Sequence, residues 1–210
     1  MTFRRAVPMA LVVLSFGFFA ASLQAQDAEI FGYAGGFWPD KTPIGQLRHG
    51  GIYGVKGGWW VDEHFEFEGN LGYINHFDVR TDLNTGVGLF GRPPIRALVY
   101  DVSGSWNFAA HSLRGTHLTP YVTAGAGALT ALVRNVDSVF ILRGPGRRIV
   151  MDDGDTFLTV TYGGGLKALD LWGPMGLRAD VHGRSMPNLF GHAVNWPEAT
   201  GGVTFSWGER

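Results

Sequence analysis

The chain has 210 residues, 32 of them glycine and none cysteine, and a formal charge of −1 at pH 7. Without cysteine a secreted chain cannot be stapled by disulfides, so its stability must come from a core or from a membrane. The balanced charge shows no basic excess and argues against nucleic acid as a partner.

Arg4 and Arg5 precede an apolar run from Ala6 to Ala21, which ends in Ser22-Leu23-Gln24-Ala25. This is the pattern of a secretory signal peptide over 1–25, with cleavage after Ala25 and a mature chain of one domain over 26–210. The alternative is a single anchoring helix, for which the run is short. Past residue 25 no apolar stretch approaches the ~20 residues of a membrane helix. A mature chain that spans a membrane must therefore do so as a barrel.

Strand one is predicted over 29–38, where Phe31, Tyr33, Gly35 and Phe37 form an apolar row. A loop with Pro39, Asp40, Lys41 and Pro43 runs to about Gly50. The next two strands form a hairpin around Asp62-Glu63-His64. Tyr53, Val55, Trp59 and Val61 share one parity before the turn, with Lys56 on the other. After it, Phe65, Phe67, Gly69, Leu71 and Tyr73 oppose Glu66, Glu68, Asn70 and Gly72. A strand sends successive side chains to opposite faces, so one face is oily and the other acidic. A transmembrane barrel strand has this pattern, with an apolar outside and a polar lumen.

A polar segment over 75–94 follows, rich in turn residues. Strand four, 95–108, sets Leu98, Tyr100, Val102, Trp106 and Phe108 against Asp101, Ser103, Ser105 and Asn107. A connector over 109–117 leads to strand five, 118–134, with Val122, Ala124, Ala126 and Ala128 outward and Tyr121, Thr123, Gly125 and Gly127 inward. After a long loop over 135–155, strand six, 156–169, sets Leu158, Val160, Tyr162 and Leu166 against Thr159, Thr161 and Lys167. A tight turn leads to strand seven, 175–185, where Leu177, Ala179 and Val181 alternate with Arg178, Asp180, His182 and Arg184. An apolar core would be penalised by several kcal/mol for each such group left unpaired, whereas a salt-bridged, water-accessible lumen accepts them. A loop over 186–196 precedes strand eight, 197–207, with Ala199, Val203, Phe205 and Trp207 against Thr200, Gly202, Thr204 and Ser206.

The connectors are long after strands one, three, five and seven and shorter after two, four and six. An outer-membrane barrel with both termini in the periplasm has this rhythm. The predicted fold is an all-β, eight-stranded, antiparallel up-and-down transmembrane β-barrel.

The chain also resembles the outer-membrane protein β-barrel domain family, the small eight-stranded barrels of the OmpA, OmpX and OmpW kind. The matching stretches are Gly57-Gly58-Trp59-Trp60-Val61, Phe67-Glu68-Gly69, Thr119-Pro120-Tyr121-Val122, Tyr162-Gly163-Gly164-Gly165-Leu166-Lys167, Gly176-Leu177-Arg178-Ala179-Asp180 and Gly201-Gly202-Val203-Thr204-Phe205. The resemblance covers the whole mature chain. It implies residence in the outer membrane of a Gram-negative envelope, contact with its lipid and lipopolysaccharide, and delivery by the barrel-insertion machinery. Its motifs specify fold and address rather than activity.

Lys56, Glu66, Glu68, Asp101, Lys167, Arg178, Asp180, His182 and Arg184 are predicted to fill the lumen as a structural ion-pair network. An eight-stranded barrel has room inside for side chains but not for a wide pore. Trp59, Tyr73, Tyr100, Trp106 and Trp207 are candidates for the interfacial girdles. Arg143, Arg147 and Arg148 are candidate loop contacts to lipopolysaccharide phosphates, which guanidinium groups bind bidentately. Asp152-Asp153-Gly154-Asp155 could bind a divalent cation, although an acidic turn is the commoner meaning. A lipid A-modifying enzyme would need a serine, a histidine and an acid together, for which His182, Ser185 and Asp180 are the candidates. Ser185 falls on the opposite parity from the other two. No cofactor and no catalysis are expected, and the role expected is structural or adhesive, with the loops as the contact surface and their partner unknown. A channel for small solutes or hydrophobic ligands is the alternative.

Overall fold

The alternation along the chain becomes a closed wall. In the computed structural model, which describes residues 27–39, 41–42, 45–47, 49–76, 79–80, 95–109, 118–133, 138–143, 147–189 and 192–208, eight long strands form one antiparallel barrel. They are β1 (Ala28–Phe37), β2 (Gly50–Trp60), β3 (Phe65–Ile74), β4 (Ile95–Asn107), β5 (Leu118–Val133), β6 (Thr156–Trp172), β7 (Met175–Leu189) and β8 (His192–Trp207). Each pairs with its neighbours in sequence, and β1 closes the ring on β8, from Ala28 opposite Trp207 to Phe37 opposite Glu198. Closure leaves no barrel edge with unpaired backbone groups. The signal peptide expected over 1–25 lies outside the described residues.

The outward positions are apolar. Ile30, Val55, Leu71, Val102, Val122, Val160, Leu166, Leu177, Val181 and Val203 are exposed there, as no water-facing surface would place them. Aromatic rings flank this band. Towards the termini, Trp59 lies 6.1 Å from Phe67, Phe205 5.8 Å from Trp207, and His64 stacks 5.4 Å from Trp106. Towards the opposite end, Tyr53 and Tyr73 lie 5.4 Å apart, with Tyr100 and Tyr162 on the same outer face.

The inward positions divide along the barrel axis. In the half nearest the termini they are mostly charged or polar, with the rings of Phe31, Trp60 and Tyr121 among them. In the other half, Phe37, Ile52, Ile74, Ile95, Ala97, Val99, Leu129, Ala131, Met186, Leu189, Val194 and Trp196 form one buried apolar cluster. Two expectations are corrected by this, on the lumen and on the last loop, and the facing of the first strand, left open by the sequence, is settled. The lumen is polar over only part of its length. The row Phe31, Tyr33 and Phe37 faces inward, because Ile30, Gly32 and Ala34 take the outer face of β1. The expected loop over 186–196 is instead the continuation of β7 and β8, joined across 190–191. Pro187 and Asn188 sit exposed at a register shift between Met186 and Leu189, an irregularity of the kind where a strand tolerates proline. The inward partners Met186, Leu189, Val194 and Trp196 gain an apolar core, so the ladder extends.

The connector rhythm therefore fails after β7. The other long connectors carry strands of their own. Lys41–Thr42 pairs with Gly45–Leu47, which in turn pairs with Val79–Arg80, linking the first two, and Ser138–Arg143 pairs with Arg147–Asp152 in the third.

The turn between β2 and β3 follows its sequence closely. One oxygen of the Asp62 carboxylate accepts the backbone N–H groups of His64 and Phe65, both at 2.7 Å. These bonds hold its carboxyl below the usual carboxylate pKa. Asp170, at the irregular end of β6, and Gly173, in the turn to β7, take positive φ, 53° and 66°, conformations that asparagine, aspartate and glycine tolerate best.

Candidate functional site: the ion-paired lumen

Strand parity brings the charged side chains inward, and barrel closure brings them together. Nearest the termini, Lys167 Nζ from β6 lies 2.5 Å from Glu66 Oε2, 3.0 Å from Glu29 Oε2 and 3.6 Å from Glu68 Oε1. One ammonium thus meets three carboxylates from two other strands. Beside it, Arg178 from β7 reaches Glu68 Oε2 through Nη2 at 2.9 Å, Glu29 Oε1 through Nη1 at 3.3 Å and Asp180 Oδ1 through Nε at 3.0 Å. Its guanidinium lies 4.9 Å from the ring centre of Phe31 and 4.7 Å from that of Tyr121. A delocalised cation suits such stacking. The Tyr121 hydroxyl donates to Asp180 and accepts from Arg178.

Further along the axis, Lys56 Nζ donates to Asp180 Oδ2 at 2.5 Å. Arg184 gives Nε to Glu198 Oε1 at 2.7 Å and Nη1 to Asp101 Oδ2 at 3.1 Å. Asn70 donates to Asp101 Oδ2 and accepts from the Tyr33 hydroxyl, both at 2.9 Å, and Trp196 Nε1 donates to Glu198 Oε1 at 2.7 Å. Trp196 thereby joins the charged half to the apolar one.

Glycines make room for these long side chains. A Cβ at Gly58 would come within 2.2 Å of Glu66 Oε1, and one at Gly165 within 2.7 Å of Asp180 Oδ1 and 2.8 Å of the Tyr121 hydroxyl. At these positions glycine serves close approach across a narrow interior.

All nine sequence-predicted lumen residues lie inside the barrel and are buried. Glu29, Glu198, Tyr33 and Tyr121 complete the network and were not among them. A signal was present: Glu29 shares the parity of Phe31, and Glu198 that of Thr200. Arg143, Arg147 and Arg148 lie apart, in the hairpin of the third long connector, where Arg143 is opposite Arg147.

The two chemical alternatives meet other arrangements. Ser185 donates to Asn195 Oδ1 at 2.5 Å on the outer side, whereas His182 and Asp180 face the lumen, so the three do not form a catalytic set. In the acidic turn, Asp153 Oδ1 accepts from Val133 N at 2.8 Å and Asp155 Oδ2 from Asp152 N at 2.9 Å, while Gly154 has φ 89°. These carboxylates hold the turn itself. Among the described residues no three His, Cys, Asp or Glu side chains converge as a metal site would require.

The barrel fold is also seen in solved structures. The crystal structure of Neisserial surface protein A superposes with a TM-score of 0.56 at 12% identity, over 85% of this chain and 96% of that one. The chain has the fold of the small outer-membrane barrels. The N-terminal β-barrel domain of Pseudomonas aeruginosa OprF gives a TM-score of 0.50 at 17% identity, over 88% of this chain and 100% of that one. No protein-family model matches the sequence, and no curated protein matches it.

Proposed function

We propose that the protein is an integral outer-membrane barrel, neither conducting nor catalytic, that holds its outward connectors as a rigid pedestal in a structural, adhesive or other surface-interaction role. One observation carries this reading: the lumen is occupied along its length, by buried ion pairs in one half and by the apolar cluster in the other. The apolar outer band between aromatic girdles supports the membrane location, as does the signal-peptide pattern of the first 25 residues. Delivery would follow the secretory route and the barrel-insertion machinery. Outside, Arg143, Arg147 and Arg148 would meet lipopolysaccharide phosphates, which guanidinium groups bind in bidentate fashion.

Reconstitution into planar bilayers tests the reading. The expected result is a bilayer that stays electrically silent while the protein remains inserted and folded. Steady single-channel steps from the unmodified protein would overturn it in favour of a solute channel.

A further inference from the structure

Between the Lys56–Asp180 pair and the Arg184–Asp101–Glu198 group the lumen keeps a small chamber of about 20 Å³. Lys56, Asp101, Ser103, Thr161, His182 and Arg184 are among the residues lining it, and all of these are buried. A buried water needs roughly 10–15 Å³ of such space and two to four polar partners. The chamber has room for one water, or at most two.

Its partners are also present. His182 is 9% exposed, and its imidazole has no hydrogen bond to any described residue. Neutral or charged, an imidazole carries at least one N–H, and leaving that group buried without an acceptor is unfavourable. The Lys56 ammonium has three N–H groups, one of which goes to Asp180. Asp101 uses Oδ2 for both Asn70 and Arg184, so Oδ1 stays open as an acceptor. Donors and an acceptor therefore line the same small space. Cations and carboxylates share the walls, which favours a neutral dipolar occupant over an ion.

We infer that the chamber is a site for one or two resident waters, which bridge His182 and Lys56 to the open oxygen of Asp101. This bridge joins the two ion-pair groups into one continuous network across the lumen. The inference rests on the inside of the barrel and holds whatever the outward connectors bind.

Oxygen-17 magnetic relaxation dispersion on the folded full-length protein in detergent micelles tests it. The unmodified protein should show a step from one or two waters held much longer than surface hydration. Thr161→Leu, which fills the chamber, should remove that step while the compact unboiled electrophoretic band persists. Ser103→Val makes the same test if Thr161→Leu does not fold. No step in the unmodified protein, or a step untouched in the folded filled variant, would overturn the assignment.

Discussion

Arg178 and Glu68 meet across the full width of the barrel, Nη2 to Oε2 at 2.9 Å, from strands that stand opposite each other in the ring. Neighbouring strands are tied by backbone ladders, but only side chains can tie opposite walls. This pair, with Lys56–Asp180 and Lys167–Glu66, braces the interior from within. Two desolvated charges offset their own burial only when paired and hydrogen-bonded, and Arg178 has Glu29, Glu68, Asp180 and Tyr121 around it.

Arg178→Met should therefore destabilise the barrel by about 3–5 kcal/mol, the loss typical of one partner leaving a buried pair. Urea titration of the compact unboiled band in lipid vesicles checks this. Adding Glu68→Gln to Arg178→Met should recover part of the loss, since it removes a stranded carboxylate. Strict additivity of the two changes would show that the pair is not coupled.

The register predicts a contrast between adjacent residues. Leu71 is exposed on the outer face, while Asn70 lies inside against Tyr33 and Asp101. Leu71→Lys should impair folding into vesicles by about 2–4 kcal/mol if it lies near the bilayer midplane. Asn70→Lys, with its ammonium beside the Asp101 carboxylate, should impair it less. The measurement is the folded fraction of each variant against the unmodified protein, and equal losses would contradict the register.

Much of this was legible from alternation. Glu66, Glu68 and Asn70 against Phe67 and Leu71, and Arg178, Asp180, His182 and Arg184 against Leu177 and Val181, define which face is which without any partner strand. The apolar plug was not legible, for a physical reason. Around Ile95–Val99 and Leu129–Val133 the inner face is apolar while the outer face mixes Leu98 and Leu132 with Arg96 and Thr130, so period-two patterning has little contrast to read and what there is points the wrong way. In β7 and β8 the turn-like Pro187, Asn188 and Asn195 obscure the inward Met186, Leu189, Val194 and Trp196. Glu29 and Glu198 escaped because each stands at the start of its predicted strand, 29–38 and 197–207, rather than in a polar run.

The plug leads to a third prediction. Leu129 is fully buried in it, so Leu129→Ala should lower stability by about 2–5 kcal/mol, as truncation of a packed leucine does. It should not open a pore, because the ion-paired half still fills the lumen. Thermal unfolding and bilayer recording on the same preparation check both outcomes, and conductance in this single variant would place the only seal in the plug.

The Asp62 turn predicts a pH dependence. Its folded carboxyl titrates below the usual range because two backbone N–H groups stabilise the anion. The stability it contributes is present above the unfolded aspartate pKa of about 3.9 and is lost as pH falls through the lower folded value. Asp62→Ala should thus be less stable than the unmodified protein at neutral pH, with the difference shrinking as pH falls below that range. Urea midpoints across the acid range check the sign, and a difference that grows on acidification would contradict the turn's role.

The most direct test of the central claim, a closed barrel in the outer membrane, is electrophoretic mobility in outer-membrane fractions, unboiled against boiled. A closed barrel resists detergent until heated, so the account predicts a band in that fraction whose mobility shifts on boiling. A protein found only in the soluble periplasmic fraction, with one mobility before and after heating, would contradict it.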